Sequence, residues 1–599
     1  MTRLVGIDLG TTHTALAHVD ADDEAARPEL FAAPQFVARG KLEARTLLPS
    51  FLYFAHESEG LLPLPWDAER SFAVGEYARA RGVEAPNRLV SSAKSWLCHP
   101  GVDRRSGLLP QGAPEDIETI SPVEASYRFL DHLAEAWLAE KGEPLSESDI
   151  VLTVPASFDA SARDLTVEAA LAAGLENLTL LEEPQAALYA WIASRGEAFR
   201  KELSVGDVLL VIDVGGGTTD FSAIRVGEEG GSYTLERVAV GDHILLGGDN
   251  MDLALAHLAR QKLEADGKEV DRLQMAALVH AARGAKERLL GDASLASAPI
   301  AIAGRGSQLF GNALRTELSQ EEVARTIVEG FFPVVPPSAR VVRRARAGLT
   351  QLGLPYAQDA AVTRQLAEFL SKQAGAMGDG AAMLYPTCIL FHGGVMKSPR
   401  LAARLVEVLS GWCSEAGRPA PRVLEGGDLD HGVAIGAARY AQLRHQKSGL
   451  RIRGGTARAY YVGIEAAVPA VPGIEPPIVA LCVAPFGMEE GSRAELPPEE
   501  LGVVVGEPVR FRFFGSTVRR DDTAGTELDR WTETELEELP PIEITLPPEG
   551  RREGDVVPVR LQASVTEIGT LALDAVPVEP QRPDERFRIE LSVREGSNA

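Results

Sequence analysis

Two segments of this chain set an aspartate, a glycine and hydroxyl residues in the same order at the end of an apolar run. One is Gly6-Ile7-Asp8-Leu9-Gly10-Thr11-Thr12; the other is Val211-Ile212-Asp213-Val214-Gly215-Gly216-Gly217-Thr218-Thr219-Asp220. In each, a buried strand would carry the carboxylate to its end, and the glycine and threonine turn behind it lets backbone N–H groups and hydroxyls approach phosphate oxygens closely. A cleft between two such loops would grip a polyphosphate from both sides. Asp8 and Asp213 suit a hydrated Mg²⁺, which keeps several waters and takes few carboxylates. Either loop alone reads as an ordinary strand-to-turn junction. Together they read as a duplication, which predicts two similar lobes.

The elements that must position these loops follow from the hydrophobic period. Up to about residue 447, short apolar runs alternate with amphipathic stretches: a strand at 150–154 precedes a helix at 159–173 that stops at Gly174. Another buried strand is predicted at 207–213, a long helix at 249–266 ended by Gly267, and a helix at 399–413 that opens on Pro399. From about residue 460 the helical period vanishes, and 509–514, 541–545 and 587–593 show β-rich or alternating composition between proline and glycine clusters. The expected organisation is an α/β two-lobed domain over 1–445, a linker over 446–458 and an all-β, sandwich-like domain over 459–599. The acidic run 521–538 reads as a solvated loop.

Composition narrows the function classes. With 599 residues and 45% hydrophobic content, the chain exceeds what one core usually fills. Its 86 acidic against 60 basic residues give a net charge of -26, which opposes non-specific attraction to nucleic acid or anionic lipid. The cysteines Cys98, Cys388, Cys413 and Cys482 stand far apart, without the paired spacing of a zinc or redox motif. The opening apolar run is too short for a signal peptide, and no stretch approaches the roughly 18 apolar residues of a membrane span. The expectation is a soluble, cytoplasmic protein with neither nucleic acid nor membrane as partner.

Five segments in order (6–16, 153–158, 181–187, 211–221 and 389–399) resemble the nucleotide domain of the DnaK-type heat-shock chaperones, the seventy-kilodalton class within the actin-like ATPases. The resemblance runs from about residue 3 to 445. It implies ATP and ADP as ligands, Mg²⁺ as cofactor, slow hydrolysis of ATP, and polypeptide clients for the second domain; which co-chaperones act is left open. It places Lys94 at the position of the catalytic lysine and Glu183, in Glu182-Glu183-Pro184-Gln185-Ala186-Ala187, where a carboxylate faces the attacking water. Asp213 and Thr218 join them in positioning water and metal shell. Pro155 and Arg163 are then candidate relays between nucleotide and partner domain. Nucleotide contacts are implied for Asp8, Gly10, Thr11, Thr12, Gly215, Gly216, Gly217, Thr218, Gly247, Gly248, Arg283, Lys286, Gly393, Gly394, Val395 and Asp430.

The chain departs from the family pattern at several of these positions. Gln185 replaces a threonine, Arg283 stands where a ribose-facing glutamate is usual, and Gly393-Gly394-Val395-Met396-Lys397-Ser398-Pro399 loses a hydroxyl and turns a guanidinium that can stack on adenine into the Lys397 ammonium. Around 331–376 lie roughly forty residues with no counterpart, including the basic cluster Arg340, Arg343, Arg344 and Arg346, read as a solvated surface or as a segment that docks an acidic partner or covers the nucleotide. The linker offers only Leu450 and Ile452 as large apolar residues, so docking should be shallow, and no helical lid is expected after the β domain. Two rival functions remain: a nucleotide-gated interaction or scaffold protein with negligible turnover, and a sugar-kinase-like phosphotransferase, since the same fold serves both.

Overall fold

Strands that are apolar along their whole length persist only where both faces are covered, and two sheets in the first part of the chain meet that condition. In the computed structural model, Arg3–Leu9 pairs in parallel with Asp149–Val154, which pairs in parallel with Leu178–Glu182, while His13–Asp20 runs antiparallel on the other side. The second sheet repeats the order and the sense of every strand. Val208–Val214 is parallel to Cys388–His392, which is parallel to Arg422–Val423, and Thr219–Glu229 runs antiparallel to Val208–Val214. The duplication visible in the two Asp-x-Gly loops is therefore a duplication of whole sheets. The structure describes residues 3–592 apart from 24–25, 100, 230–231, 305–312, 344–352, 375–379, 447–451, 454–455, 457, 467–475, 489–491, 495, 517, 520, 533–534, 540, 549, 566–569 and 583–584.

The helices arise where their punctuation predicts. Ala160–Ala172 is capped by Asp159, whose Oδ1 accepts the Ala162 N–H at 2.6 Å. Gly248–Ala265 ends just before Gly267, and Pro399–Glu415 opens on its proline. Glu183–Arg195 begins at the residue after the Leu178–Glu182 strand, so Glu183 sits in the first turn of a helix. Ala15, Ala17, Ala434 and Ala438 make a small-residue seam where the Gly432–His445 helix lies on the first sheet.

The chain divides into two compact units, one of residues 1–233 and 239–450, the other of 234–238 and 451–599. In the first, residues 331–376, read from sequence as an insertion, include the helix Val362–Lys372 and an extended stretch held by Trp412, whose Nε1 donates to the Val335 carbonyl at 2.7 Å. Arg340 and Arg343 are exposed there, while Arg344 and Arg346 lie outside the described residues, as do 447–451, 454–455 and 457 of the expected linker.

In the second unit every described element is a strand. Glu527–Leu528, Ile478–Ala484, Ala459–Glu465, Phe513–Ser516 and Glu537–Glu538 form one antiparallel sheet; Val556–Val565, Thr570–Pro577 and, at the edge, Phe587–Ser592 are the long strands of another. Tyr460, Val462, Leu481 and Phe513 from the first meet Ala563, Leu571, Leu573 and Ile589 from the second in one core, the arrangement of a sandwich. Two local expectations are corrected. The predicted strand at 509–514 is two strands, Pro508–Phe511 and Phe513–Ser516, in different sheets. The acidic run is not a plain solvated loop either: Asp522 accepts from the Tyr461 hydroxyl at 2.6 Å and pairs with Arg519 at 2.7 Å, with only 14% of its side chain exposed.

Candidate active site

Both Asp-x-Gly loops leave the ends of central strands on the same side of their sheets and open into one cavity of about 410 Å³ in the first unit. Its lining includes Asp8, Gly10, Thr11, Thr12, Lys94, Pro155, Glu183, Asp213, Gly215, Gly216, Thr218, Gly248, Arg283, Lys286, Gly393, Gly394, Val395 and Asp430. Residues drawn from distant parts of the sequence thus converge. Three candidates do not line it. Gly217 lies behind Thr11, Gly247 lies against the Gly216 carbonyl, and Arg163 is buried beneath the floor.

The glycines are required by how closely these loops approach one another. A Cβ on Gly216 would come within 2.2 Å of the Thr12 Cγ2, and Gly393, at φ +84°, would place one 2.4 Å from the Asp213 Oδ1. The loops therefore pack directly against one another, and the Gly10, Thr11, Thr12, Gly215, Gly216 and Thr218 positions at the cavity wall offer a lining suited to phosphate oxygens.

Charge at this end of the cavity is unbalanced. Lys94 is buried, and its ammonium donates to Glu183 Oε1. Against that single cation stand Asp8, Asp213 and Glu183. Burial, followed by the Glu183 carboxylate, pushes Asp8 up to about 7 despite the opposing pull of Lys94, and burial and Glu183 likewise raise Asp213 well above the usual carboxylate range. Burial works against the Lys94 ammonium, yet Glu183 and Asp8 hold its pKa above the ordinary value. Three carboxylates around one ammonium are a site that a divalent cation would neutralise. Mg²⁺ needs few direct carboxylate ligands and keeps several waters, and the net negative charge of Asp8, Asp213 and Glu183 fits such an ion; among the described residues no group of three or more His, Cys, Asp or Glu could hold a metal directly.

At the other end the charges cancel in pairs. Arg283 pairs with Asp249 at 2.5 Å and with Asp252 at 2.7 Å; Lys286 reaches Asp252 at 2.7 Å; Lys397 pairs with Asp430 at 2.5 Å. Asp252 is fully buried, and these two cations are what make its burial tolerable.

Arg163 is 2% exposed, which excludes a solvated helix face. Its Nη2 donates to Glu182 Oε1 at 3.2 Å and to the Pro155 and Ala156 carbonyls at 3.4 Å. Pro155 lines the cavity and Glu182 is bonded to Glu183 in sequence, so Arg163 ties together two segments that both reach the site.

The sequence reading missed His392, Arg79 and His13. His392 precedes Gly393 and faces Asp213 across the parallel strand pair, with Nε2 4.0 Å from Asp213 Oδ2. Burial lowers its pKa although Asp8 and Glu183 lie near. A signal existed, because a residue at the end of a strand paired with the Val208–Val214 strand must sit level with Asp213. Arg79 comes from the helix Glu76–Gly82 and has no such signal. Burial, then Arg79, lowers His13 to about 4.

A family model described as Hsp70 protein matches residues 102–347. The chain is also 33% identical over 309 residues to the chaperone protein HscA of Cronobacter sakazakii (strain ATCC BAA-894), an alignment covering 49% of this chain and 43% of that protein. The chain therefore spans less than half the length of the curated relative it matches.

Proposed function

We propose that the chain is a member of the Hsp70 family, supported by the family-model match over 102–347 and the likeness to HscA, and that its first unit binds Mg-ATP and hydrolyses it slowly to ADP and phosphate. The observation that carries this reading is the meeting of Asp8, Lys94, Glu183 and Asp213 between two glycine-threonine loops in one cavity. Asp8 and Asp213 would hold Mg²⁺ through its waters, and the ion would neutralise charge on the β- and γ-phosphates. Lys94 supplies the protein's own cation to the terminal phosphoryl group, where charge is redistributed in the transition state. Glu183 and Thr218 orient the attacking water for in-line displacement. Pro155 and Arg163, joined by the hydrogen bond at 3.4 Å, relay the state of the site to the rest of the molecule.

The second unit is read as a module that binds polypeptide segments, and the whole as a cytoplasmic chaperone that acts on neither nucleic acid nor membrane. Two facts support the last point: the net charge of -26 and the absence, among the described residues, of a helix long and apolar enough to cross a membrane. A second reading, a nucleotide-gated binding protein with negligible turnover, is favoured by the contact between Lys94 and Glu183, which occupies both groups with each other. Calorimetric ATP binding together with phosphate release from the full-length protein separates the two. Binding with slow, Mg²⁺-dependent release supports the ATPase; binding with no release supports the gated binder; no binding sinks both.

A further inference from the structure

Residues 353–361 contact segments that adjoin the cavity from the side of each sheet. On the side of the first sheet, His99 is 7% exposed and stacks on Trp96 with ring centroids 5.3 Å apart and planes at 10°. Its Nδ1 accepts the Gly101 N–H at 3.0 Å, so the ring proton sits on Nε2, which donates to the Gly353 carbonyl at 2.9 Å. Trp96 closes the helix Ala93–Trp96 that carries Lys94. On the side of the second sheet, the Ala357 N–H donates to the Leu245 carbonyl at 3.2 Å. Leu245 stands three residues before Gly248, which lines the cavity.

The segment is rigid at its base. Asp359, 4% exposed, accepts the N–H groups of Val342 at 2.9 Å and Ala361 at 3.0 Å, and takes both arms of the Arg364 guanidinium at 2.6 Å. Between base and tip, Tyr356 remains 53% exposed, with crowding around its hydroxyl and the nearby Asp249 carboxylate raising its pKa.

We propose that residues 353–361 are a strap between the two lobes that slows nucleotide release, with His99 as the positioning residue by which the first lobe is held. The inference rests on the nucleotide-binding reading of the cavity. A ligand gripped from two walls leaves when the walls separate, and every bond that crosses between them must break first. The His99 bond to Gly353 is such a bond: it is part-buried, 2.9 Å long, and made by the 353–361 segment rather than by either phosphate loop. Removing it should speed opening without touching Lys94, Glu183 or the aspartates.

The test uses full-length protein loaded with Mg²⁺ and a fluorescent methylanthraniloyl ADP, chased with excess ADP in a stopped-flow instrument. His99→Ala should release nucleotide about 3- to 10-fold faster, the equivalent of one buried hydrogen bond, while single-turnover phosphate release stays at the wild-type rate. His99→Gln, which restores a donor, should release at close to the wild-type rate. Arg364→Lys keeps the charge but loses the two-armed grip on Asp359. It should also speed release, and combined with His99→Ala it should add little, because both act on one strap. An unchanged release rate in His99→Ala and Arg364→Lys overturns the strap while leaving the nucleotide site standing. If the wild type takes up no labelled nucleotide, the reading of the cavity falls and the strap falls with it. Should His99→Ala melt early, Arg364→Lys and His99→Gln decide: fast release in the first with normal release in the second supports the strap, and equal rates refute it.

Discussion

The two ends of the cavity handle charge in opposite ways. Around the glycine-threonine loops, Asp8, Asp213 and Glu183 face one ammonium, and burial followed by Glu183 raises the pKa of both aspartates; burial raises Asp249 at the other end as well, but there against the pull of Arg283. Around Arg283 the opposite holds: Asp249, Asp252 and Asp430 each have a cation within 2.7 Å. On the proposed reading the first end is the one a ligand would complete, whereas the second is neutralised by its own side chains. A site under tension is one built for a ligand, because the protein carries the desolvation cost that the ligand's charge then relieves. A self-neutralised wall contributes shape and stability. Of the departures noted in the sequence, Arg283 and Lys397 lie at the self-neutralised end, while Gln185 follows Glu183 by two residues at the acidic end.

The strongest way to break this comparison is to remove the lone cation of the acidic end. Lys94→Ala should retain ATP binding and lose about 10²- to 10³-fold in turnover, the scale on which removal of one transition-state donor acts. Turnover at the wild-type level would mean that the acidic end has no catalytic cation at this position. Next in size, Asp213→Asn should raise the Mg²⁺ concentration needed for half-maximal nucleotide binding by roughly tenfold, as removal of an outer-shell partner does. An unchanged Mg²⁺ titration would remove Asp213 from the metal shell.

A third experiment sharpens the idea of tension. Asp8 titrates near 7 in the folded protein against 3.8 for the free side chain, so the folded state holds a proton that the unfolded state releases. The penalty is absent at about pH 4, grows as pH rises, and is complete above about pH 7. At pH 8 Asp8→Asn should therefore raise the melting temperature of the ligand-free protein, by roughly 1 °C for each kcal/mol relieved in a unit of this size, and the gain should vanish by about pH 4. The same variant should lose most of the extra stabilisation that Mg-ATP gives the wild type. A lower melting temperature for Asp8→Asn at pH 8 would show that the acidic end is not under tension at all.

How much of this was legible in the sequence depends on where each residue's partner lies. Asp8 and Asp213 were readable because apolar runs bounded by glycine fix a strand end, and a strand end fixes the carboxylate. The helix that Glu183 opens was readable from Pro184, but its place at the site came only from the resemblance. Asp252 was within reach, since it lies three residues after Asp249 on the Gly248–Ala265 helix and so on the same face. Its cations, Arg283 and Lys286, come from the helix Arg272–Gly291 with the same spacing. Arg79 was not legible. It lies 204 residues from Arg283 in sequence, and only tertiary packing brings it to the cavity. The strap was beyond pattern reasoning for a related reason: its contact with His99 runs through the Gly353 backbone carbonyl, and a carbonyl carries no sequence signature. The second unit shows the limit of alternation. The period of 2 in Val556–Val565, with buried and exposed residues taking turns, marks a strand facing a core on one side, but Arg512 between two strands gave no warning that 509–514 switches sheets.

The smallest expected effect comes from the self-neutralised end. Lys397 keeps 53% of its side chain exposed while paired with Asp430, and it stands where the family places a guanidinium. Lys397→Arg can keep that ion pair, because a guanidinium has donors to spare, and it adds a flat cation able to stack on an aromatic base. A cation on an aromatic face at an exposed site contributes about 0.5–1 kcal/mol, which converts to roughly 2- to 5-fold tighter ATP binding. The gain should appear equally in ground state and transition state, because the base takes no part in the reaction; the Michaelis constant should fall while kcat stays fixed. It should also depend on the base, being larger for ATP than for a triphosphate that carries no purine. Affinity that rises equally for inorganic tripolyphosphate would show that the added guanidinium acts on phosphate charge, which would place Lys397 at the acidic end and undo the division of the cavity into a charged end and a neutral one.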